Sequence, residues 1–204
     1  MKQPVSAGAD PQEPGPSTRD ALMDAALAQL AGKGVLAGLN LREVADAVGV
    51  TPANIYHYFG SRQGLLRAAL QRATAQLAAP MAASSSAAFV ERRLAMFDVI
   101  SRTPELVYTA LLAIDRDPSF ELMPFLEATR ASYRRQMDEG AIPADLDIEA
   151  AHLTSLAISI GFGIYSEVAA RQLGVSVDEL HARMRAAFER MLRGLVEGPA
   201  EPPK

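Results

Sequence analysis

Residues 39–66 read LNLREVADAVGVTPANIYHYFGSRQGLL, and this stretch holds the spacings that decide the fold. Asn40 is a preferred helix cap, and Glu43 lies three residues later, where it can reach back to the cap. Apolar residues then recur at helical spacing up to Gly49, which can take the left-handed conformation that ends a helix. The pattern predicts a first helix over residues 41–48.

A second helix is predicted two residues after the first one ends. Thr51 offers a hydroxyl cap, and Pro52 occupies the first helical position, where its missing N–H has no energetic penalty. Gly60 follows Phe59 and Ser61 is a further cap, so the helix from Thr51 to Phe59 has about two turns. The order of helix, glycine-containing turn and helix is the helix-turn-helix arrangement.

This arrangement places the second helix in the major groove of DNA, with its N-terminal residues at the base edges. Thr51, Ala53 and Asn54 form a small, polar first turn that would let the backbone approach DNA closely. Ile55 and Phe59 lie four residues apart and are predicted to face the core. The sequence therefore indicates DNA binding through the second helix.

Three hydrogen-bonding rings follow one another in this helix, at Tyr56, His57 and Tyr58. The helix is too short to bury all three, so at least one ring should be exposed. For any single tyrosine, half-buried packing is as good an interpretation as a phosphate contact. The prediction of DNA binding therefore depends on the whole pattern.

The stretch resembles the TetR family of one-component transcriptional regulators. The resemblance lies in LREVADAVGV, in TPANIYHYF with its Tyr and Phe three residues apart, and in GSRQGLL, and it covers Ser17 to about Leu77. It implies that these segments are the second, third and fourth helices of an N-terminal DNA-binding domain. In the family a lysine usually follows the recognition helix, whereas this chain has Arg62, which should still meet a phosphate. Pro52 also departs from the family pattern, because it has no N–H to donate.

The resemblance further implies that Arg42, near the start of the helix before the turn, reaches a base. Together with the first turn of the second helix, it completes the predicted DNA-binding set. The candidate residues are Asn40, Arg42, Thr51, Pro52, Ala53, Asn54, Tyr56, His57 and Arg62.

Composition limits the class of protein. The chain has 204 residues, of which 49% are hydrophobic, so it can bury a sizeable core. It contains no cysteine, which excludes disulfides and thiolate metal sites. Its N-terminal residues lack the apolar core of a signal peptide, and no apolar run reaches the roughly 18 residues of a membrane span. We expect a cytoplasmic protein without a membrane partner.

The overall charge of −4, with an isoelectric point near 5.4, does not by itself favour a nucleic-acid partner. Within residues 17–80, however, basic residues exceed acidic ones by two, and the rest of the chain is acidic. DNA binding needs a local basic patch and not a basic protein. The charge distribution is thus consistent with DNA binding by the N-terminal part.

Composition also predicts the division of the chain. Residues 1–16 are rich in proline and poor in apolar residues and are expected to be a disordered tail. Residues 17–78 form the helix-turn-helix domain, residues 86–197 a helical effector-binding and dimerisation domain, and residues 198–204 a second tail. The fold class is therefore all-α.

Caps and breakers define the helices that flank the motif and fill the second domain. No strand pattern competes with them. The predicted helices run from Thr18 to Ala31, from Ser61 to about Ala78, from Phe89 to Ser101, from Thr103-Pro104 and Asp117-Pro118 onward, from beyond Pro124 to Glu139-Gly140, from Asp147 to Leu173, and from Ser176 to Val196.

Two glycines lie inside a predicted long helix, at positions 161 and 163, and each is unfavourable by up to about 1 kcal/mol relative to alanine. Close packing against another helix would offset this. It could arise in an intramolecular hairpin alone, but the resemblance implies that the last two helices form a dimeric four-helix bundle. The predicted homodimer interface comprises Leu156, Ile160, Gly163, Met184 and Met191.

The middle helices are rich in aromatic residues and methionine. For any one of these residues, core packing is the simpler interpretation, but buried tyrosine hydroxyls need polar partners, as in a mostly apolar cavity with a few polar groups. A small apolar or aromatic effector is therefore hypothesised. The candidate effector-binding residues are Phe97, Tyr108, Leu111, Phe125, Tyr133 and Phe162.

Catalysis has little support in the sequence. His57, His152 and His181 are far apart, and no protease, hydrolase, P-loop or dinucleotide-binding motif is found. We predict no enzyme, no metal site and no cofactor. The predicted function is a repressor released from a palindromic operator by a small ligand; the alternatives are a ligand-dependent activator and a helical protein-interaction module that does not bind DNA.

Overall fold

The structure is a computed structural model that describes residues 17–34, 37–76 and 88–197. Over these residues the chain forms nine α-helices and no strand, which confirms the all-α prediction. The helices are α1 (Thr18–Lys33), α2 (Leu41–Val48), α3 (Pro52–Phe59), α4 (Arg62–Ala75), α5 (Phe89–Arg102), α6 (Pro104–Ile114), α7 (Leu126–Asp138), α8 (Ile148–Leu173) and α9 (Val177–Glu197).

The chain divides into two compact units, Met1–Ala69 and Leu70–Lys204. This division lies within α4, because its last turns pack with the second unit: Leu70 is fully buried, and the Gln71 amide donates to the carbonyl and hydroxyl oxygens of Ser119 at 3.4 and 3.3 Å. The boundary predicted after residue 78 lies outside the described residues and stays a prediction. The predicted tails, residues 1–16 and 198–204, and the predicted helix end near Ala78 lie outside the described residues.

In the first unit, α1 packs against α2 and α2 packs against α3. Ser17 caps α1, since its hydroxyl oxygen accepts the backbone N–H of Asp20 at 3.2 Å. The helix ends at Lys33, beyond the predicted Ala31, because Gly32 stays helical and Gly34 is the glycine that takes a positive φ, of 77°. The buried apolar residues come from all four helices and the loop before α2: Leu22, Met23, Ala26, Leu27, Leu30, Leu39, Val44, Ala45, Ile55, Leu65 and Ala69.

In the second unit, α8 lies at the centre and contacts α5, α6 and α9. Its predicted bounds are confirmed: the Asp147 carboxylate accepts the N–H of Ala150 at 2.9 Å at the start, and Gly174 ends the helix with a φ of 66°. The buried core comprises Phe89, Val90, Leu94, Phe97, Tyr133, Ile142, Ile148, Ala151, Phe162, Ala170, Leu180, Phe188 and Leu192.

By length and composition alone, the 26 residues of α8 would suffice to cross a membrane. The helix nevertheless packs against three others, and two of its buried serine hydroxyls are satisfied within the helix. Ser155 donates to the carbonyl oxygen of Ala151 at 2.7 Å, and Ser159 donates to that of Ser155 at 2.8 Å. In this structure α8 is therefore the core helix of the second unit.

Two predicted caps serve other purposes. The Asp117 carboxylate accepts the backbone N–H and the hydroxyl of Ser119, at 2.9 and 2.6 Å, and this local turn replaces the helix predicted from Pro118. Thr103 does precede α6, but its hydroxyl donates to the carbonyl oxygen of Val99 at 2.7 Å and does not cap the new helix. In both places a short-range hydrogen bond competes with helix capping.

Candidate nucleic-acid interface

The start of α2 is held by its cap and by α1. The Asn40 side-chain oxygen accepts the N–H groups of Arg42 and Glu43 at 3.1 and 3.4 Å, as predicted for a cap. The reciprocal half of the predicted capping box is different, because Glu43 accepts from the Asn40 side-chain amide at 3.1 Å and not from its backbone. The backbone N–H of Asn40 instead donates to Gln29 of α1 at 2.6 Å.

Glu43 joins α2 to α1 a second time. Its carboxylate accepts a hydrogen bond from the Gln29 amide at 2.8 Å and another from the Lys33 ammonium group. The bond from Lys33 is the main reason why the pKa of Glu43 lies below its usual range. These contacts hold the helix that precedes the turn, and the part played by Gln29 could not be predicted from the sequence.

The turn between α2 and α3 consists of Gly49 and Val50. Gly49 has a φ of 73° and a ψ of 30°, the left-handed conformation predicted from the sequence, and Val50 donates to the carbonyl oxygen of Ala45 at 3.0 Å. The chain then enters α3 through Thr51 in an extended conformation. The two helices are thus joined by a tight turn, as in a helix-turn-helix motif.

The first turn of α3 is organised by Asn54. Both the backbone N–H and the hydroxyl of Thr51 donate to the side-chain oxygen of Asn54, at 3.3 and 2.9 Å. Thr51 and Asn54 form a capping box, in which the Thr51 side chain meets the backbone N–H of Asn54 and the Asn54 side chain meets that of Thr51, so the predicted cap is present. Since the Asn54 oxygen is occupied, its NH2 group is the end of the side chain that can meet a DNA acceptor.

The three consecutive rings of α3 are all exposed. Tyr56 is 56% exposed, Tyr58 is 40% exposed, and His57 lies between them on the surface. This confirms that at least one ring faces outward. Ile55 is fully buried, as predicted, whereas Phe59 is half-buried beneath the Arg19 guanidinium, whose carbon lies 5.3 Å from the ring centroid.

Arg42 and Arg62 present positive charge near this surface. Both side chains are exposed, and neither belongs to an ion pair within the described residues. Arg62 is the first residue of α4, where the unpaired backbone N–H groups of a helix also favour anions. The candidate contacts from Asn40 to Arg62 all belong to the first unit, and Pro52 and Ala53 supply the small surface of the first turn of α3.

Gly64 is a residue whose role the sequence did not reveal. The Ser61 hydroxyl accepts its N–H at 2.9 Å, which starts α4. A Cβ atom at this position would lie 2.0 Å from the carbonyl oxygen of Phe59 and 3.1 Å from its carbonyl carbon. Only glycine fits here, because both obstacles are backbone atoms.

The candidate effector residues lie in different environments. Phe97, Tyr133 and Phe162 are buried in the core of the second unit, and Tyr108 and Leu111 are half-buried on α6. Of these six residues, only Phe125 lines either of two adjoining cavities in the second unit. Whether the other five contact an effector stays a prediction.

Two adjoining cavities lie in the second unit, with volumes of about 360 and 70 Å³. They share Thr74, Phe120, Glu121, Pro124 and Phe125. The larger cavity is also lined by Gln71, Ala75 and Ser119, and the smaller one by Met96, Ile100, Leu106, Thr109, Leu122, Leu156 and Ile160. Most of these side chains are apolar, with a few hydroxyl groups among them.

Three of the residues assigned to the dimer interface face inward. Leu156 and Ile160 line the smaller cavity. A Cβ atom on Gly163 would lie 2.4 Å from a methyl group of Val107 on α6, so this glycine allows close packing within the same chain. Gly161, by contrast, has open space around it. The packing that offsets Gly163 is therefore intramolecular and involves α6, not the last helix.

The outer face of α8 and α9 carries large apolar side chains. Met184 packs partly on the core, and Met191 is 56% exposed beside an open apolar groove of about 500 Å³ that includes Ile158 and Leu192. Further exposed residues on these helices are Leu153, Ile164, Tyr165, Val168, Leu173, Val177 and Leu195.

Comparison with known proteins agrees with this architecture. Residues 22–69 match the family model for bacterial regulatory proteins of the tetR family. The HTH-type transcriptional regulator BetI of Rhizobium meliloti (strain 1021) is 39% identical over 77 residues. This match covers 38% of the present chain and only 37% of BetI.

Solved structures resemble the chain over most of its length. A TetR-family transcriptional regulator from Pectobacterium atrosepticum has a TM-score of 0.65 at 21% identity, covering 90% of this chain and 96% of its own. GusR of Salmonella enterica also has a TM-score of 0.65 at 21% identity, covering 92% of this chain and 98% of its own. At this identity the likeness shows a shared fold.

Proposed function

We propose that this chain, whose residues 22–69 match the family model for bacterial regulatory proteins of the tetR family, is a TetR-family regulator that binds double-stranded DNA as a homodimer in the cytoplasm and regulates transcription. The observation that carries the proposal is the surface of α3. A helix of eight residues buries Ile55 and exposes Tyr56, His57 and Tyr58, with Asn54 fixed at its N-terminal end. This arrangement presents hydrogen-bonding groups where a recognition helix meets base edges and phosphates.

A two-fold dimer would present two copies of α3 to the same face of DNA. The expected binding site is an inverted repeat with half-sites about 10 bp apart or somewhat more. The exposed apolar residues of α8 and α9 favour this assembly, because contiguous exposed apolar patches mark interaction surfaces. We accordingly propose that the interface uses Leu153, Ile164, Val168, Met191 and Leu195, in place of the inward-facing Leu156, Ile160 and Gly163.

Selection of bound fragments from a genomic or random DNA pool tests both parts of the proposal. The expected result is a recovered sequence with inverted symmetry, bound with an affinity that falls steeply as salt is raised. A pool from which no sequence is enriched would contradict DNA recognition. Enriched sequences without inverted symmetry would contradict binding as a two-fold dimer.

We further propose that the protein is a repressor and that a small apolar or aromatic ligand releases it from DNA. The two adjoining cavities support this proposal, because they combine apolar walls from Phe120 and Phe125 with the hydroxyls of Thr74 and Thr109. A ligand that prefers one conformation of the protein lowers DNA affinity by the same differential energy, typically about 1–3 kcal/mol.

Thermal unfolding in the presence of a hydrophobic compound library provides the test. Compounds that raise the melting temperature should weaken DNA binding, and the variant Phe125→Ala should lose part of the response because Phe125 lines both cavities. A library without any stabilising compound, or stabilising compounds that leave DNA affinity unchanged, would contradict the effector proposal.

A further inference from the structure

Two adjacent arginines of α5 are buried in the second unit. Arg92 is 2% exposed and Arg93 is 4% exposed. Within the described residues neither guanidinium belongs to an ion pair. The sequence of residues 77–87, LAAPMAASSSA, supplies no acidic side chain either. Burial of a charge is unfavourable unless the charge is paired, so this pair of cations needs an explanation.

Arg93 is partly accommodated by its neighbours. One terminal nitrogen, Nη1, donates to Nδ1 of His152 at 2.6 Å. The guanidinium carbon lies 4.9 Å from the centroid of the Tyr133 ring and 5.7 Å from that of the Phe89 ring, so cation–π contacts also act on it. These contacts do not involve its Nε and Nη2 atoms, which are buried and have no hydrogen-bond partner among the described residues.

The free atoms of Arg93 form one edge of the guanidinium. The N–H groups of Nε and Nη2 point in parallel, and this fork matches the two oxygens of a carboxylate in a bidentate pair. Arg93 therefore offers the one edge of its side chain that is best suited to a planar anion, while the opposite side is fixed by His152.

More polar atoms of the same cluster lack partners. Arg92 Nη1, Tyr133 Oη and Thr129 Oγ1 are all buried without a hydrogen bond to any described residue. Thr129 and Tyr133 lie four residues apart on α7 and thus share a face of that helix. The guanidinium carbon of Arg92 lies 6.0 Å from the centroid of the Tyr133 ring. Helices α5 and α7 together place these groups around Tyr133.

Both arginines also lie near the N-terminus of α5, where the backbone carries a partial positive charge that favours an anion and disfavours a cation. Burial lowers the pKa of Arg93 to about 10, so it remains protonated at neutral pH. Burial, together with the two arginines, lowers the pKa of His152 to about 4, so the imidazole is neutral and can accept the hydrogen bond from Arg93. At neutral pH the cluster therefore carries two positive charges.

We infer that Arg92, Arg93 and Tyr133 form a binding site for the carboxylate group of a small molecule, separate from the two apolar cavities. The carboxylate would pair with the free edge of Arg93 and accept further hydrogen bonds from Arg92 and Tyr133. A planar carboxylate fits this cluster better than a tetrahedral phosphate, because the two free donors of Arg93 are coplanar and point in parallel. The rings of Phe89 and Tyr133 suit an apolar or aromatic body attached to the carboxylate.

Thermal unfolding of the full-length protein in low-chloride buffer tests the site with benzoate and butyrate as probes and with benzamide and butyramide as neutral analogues. The carboxylates should raise the melting temperature progressively with concentration, and the amides should not. Arg93→Met should weaken benzoate binding by at least about tenfold, the loss expected for a charge-assisted hydrogen bond. Arg102→Met is the matched control, since Arg102 lies on the same helix but is exposed and paired with Asp178.

The unliganded variants separate a binding role from a structural one. If the arginine serves to bind an anion, Arg93→Met should leave the melting temperature of the free protein unchanged or raise it, because it removes an unpaired buried charge. A lower melting temperature of that variant would instead indicate a structural residue. Tyr133→Phe provides a second variant that keeps the ring and removes only the hydroxyl, and it should weaken benzoate binding several-fold without destabilising the free protein.

Five results would overturn the inference. They are the absence of any carboxylate effect, equal effects of carboxylates and amides, a lower melting temperature of unliganded Arg93→Met, unchanged benzoate binding in both Arg93→Met and Tyr133→Phe, and saturation of the same response by chloride alone.

Discussion

Gly64 is a position in the first unit where any side chain larger than hydrogen would clash with the backbone. An alanine there would bring Cβ within 2.0 Å of the Phe59 carbonyl oxygen, and the backbone would have to move. Gly64→Ala should lower the free energy of unfolding by at least about 3 kcal/mol, at the upper end of overpacking effects. Gly32→Ala is the control, because a Cβ at Gly32 meets nothing within 4 Å. It should be neutral or stabilise by up to about 1 kcal/mol. Chemical denaturation of both variants checks this; equal stabilities would contradict it.

Arg62 and Arg42 should differ in how they contribute to DNA binding. Arg62, at the N-terminus of α4, is placed for a phosphate, so Arg62→Ala should weaken all sequences alike and reduce the salt slope by about 1 per subunit. Arg42→Ala should instead relax the preference at one base position, by about 1–3 kcal/mol. Arg134→Ala, an exposed arginine of α7, is the control. Unchanged affinity of both variants at moderate salt would contradict these assignments.

His152 should make stability depend on pH. Its pKa is about 4 in the folded chain and near 6.5 when unfolded, so the unfolded state binds more protons between these values. Stability should therefore be complete above about pH 6.5 and fall as pH decreases toward 4. Because the ring is partly exposed, we expect an effect on the order of 1 kcal/mol.

His152→Asn keeps an acceptor for Arg93 and cannot be protonated, so it should flatten this part of the stability curve. Burial also lowers the pKa of His181, and some dependence on pH should remain in the variant. Denaturation midpoints of the parent protein and of His152→Asn, measured between pH 4 and 7, test this prediction. A variant as sensitive to acid as the parent would mean that His152 is not the titrating group.

The helices differ in how far the sequence could define them. Both ends of α2 and of α8 were predicted, because Asn40, Gly49, Asp147 and Gly174 act within a few residues of themselves. The helix predicted after Asp117 failed because the same carboxylate can also close a turn with Ser119, and a sequence does not show which hydrogen bond prevails.

Contacts between distant helices were less predictable. Gly163 was correctly identified as a site of close packing, but its neighbour Val107 lies far away in the sequence. The hydrogen bond between Arg93 and His152 also joins residues far apart in the sequence and could not be predicted. Nor could the sequence distinguish the aromatic residues buried in the core from those that line a cavity. Apolar periodicity shows which face of a helix is covered and does not show what covers it.

The two glycines of α8 provide a test within one helix. Gly163→Ala should destabilise the protein by about 1–3 kcal/mol, because Cβ would lie 2.4 Å from the stiff side chain of Val107. Gly161→Ala should be neutral or stabilise by about 0.5–1 kcal/mol, since the position is open and alanine favours helix. Urea denaturation, with sedimentation to monitor assembly, checks both. If Gly161→Ala were the more destabilising variant, the close contact between α8 and α6 at Gly163 would be contradicted.

At the level of the whole molecule, assembly should depend on the outer face of α8 and α9. Ile164 is 46% exposed on α8, so Ile164→Glu should convert dimers to monomers and weaken binding to an inverted repeat. Ile114→Glu introduces the same change at a residue that is 77% exposed at the end of α6, and it should leave both properties unchanged. Sedimentation and DNA titration measure the two effects. A dimer that survives Ile164→Glu would move the interface elsewhere.

The junction between α3 and α4 has a mechanical consequence. The N–H of Gly60 is bonded to Tyr56, that of Gly64 to Ser61, and the Phe59 carbonyl fills the space beside Gly64. Because this junction is closely packed and hydrogen-bonded, α3 and the first turns of α4 should move together as one rigid body. Any rotation of these first turns of α4 would then rotate α3 by the same angle. The orientation of α3 against DNA would therefore depend on residues that do not contact the bases.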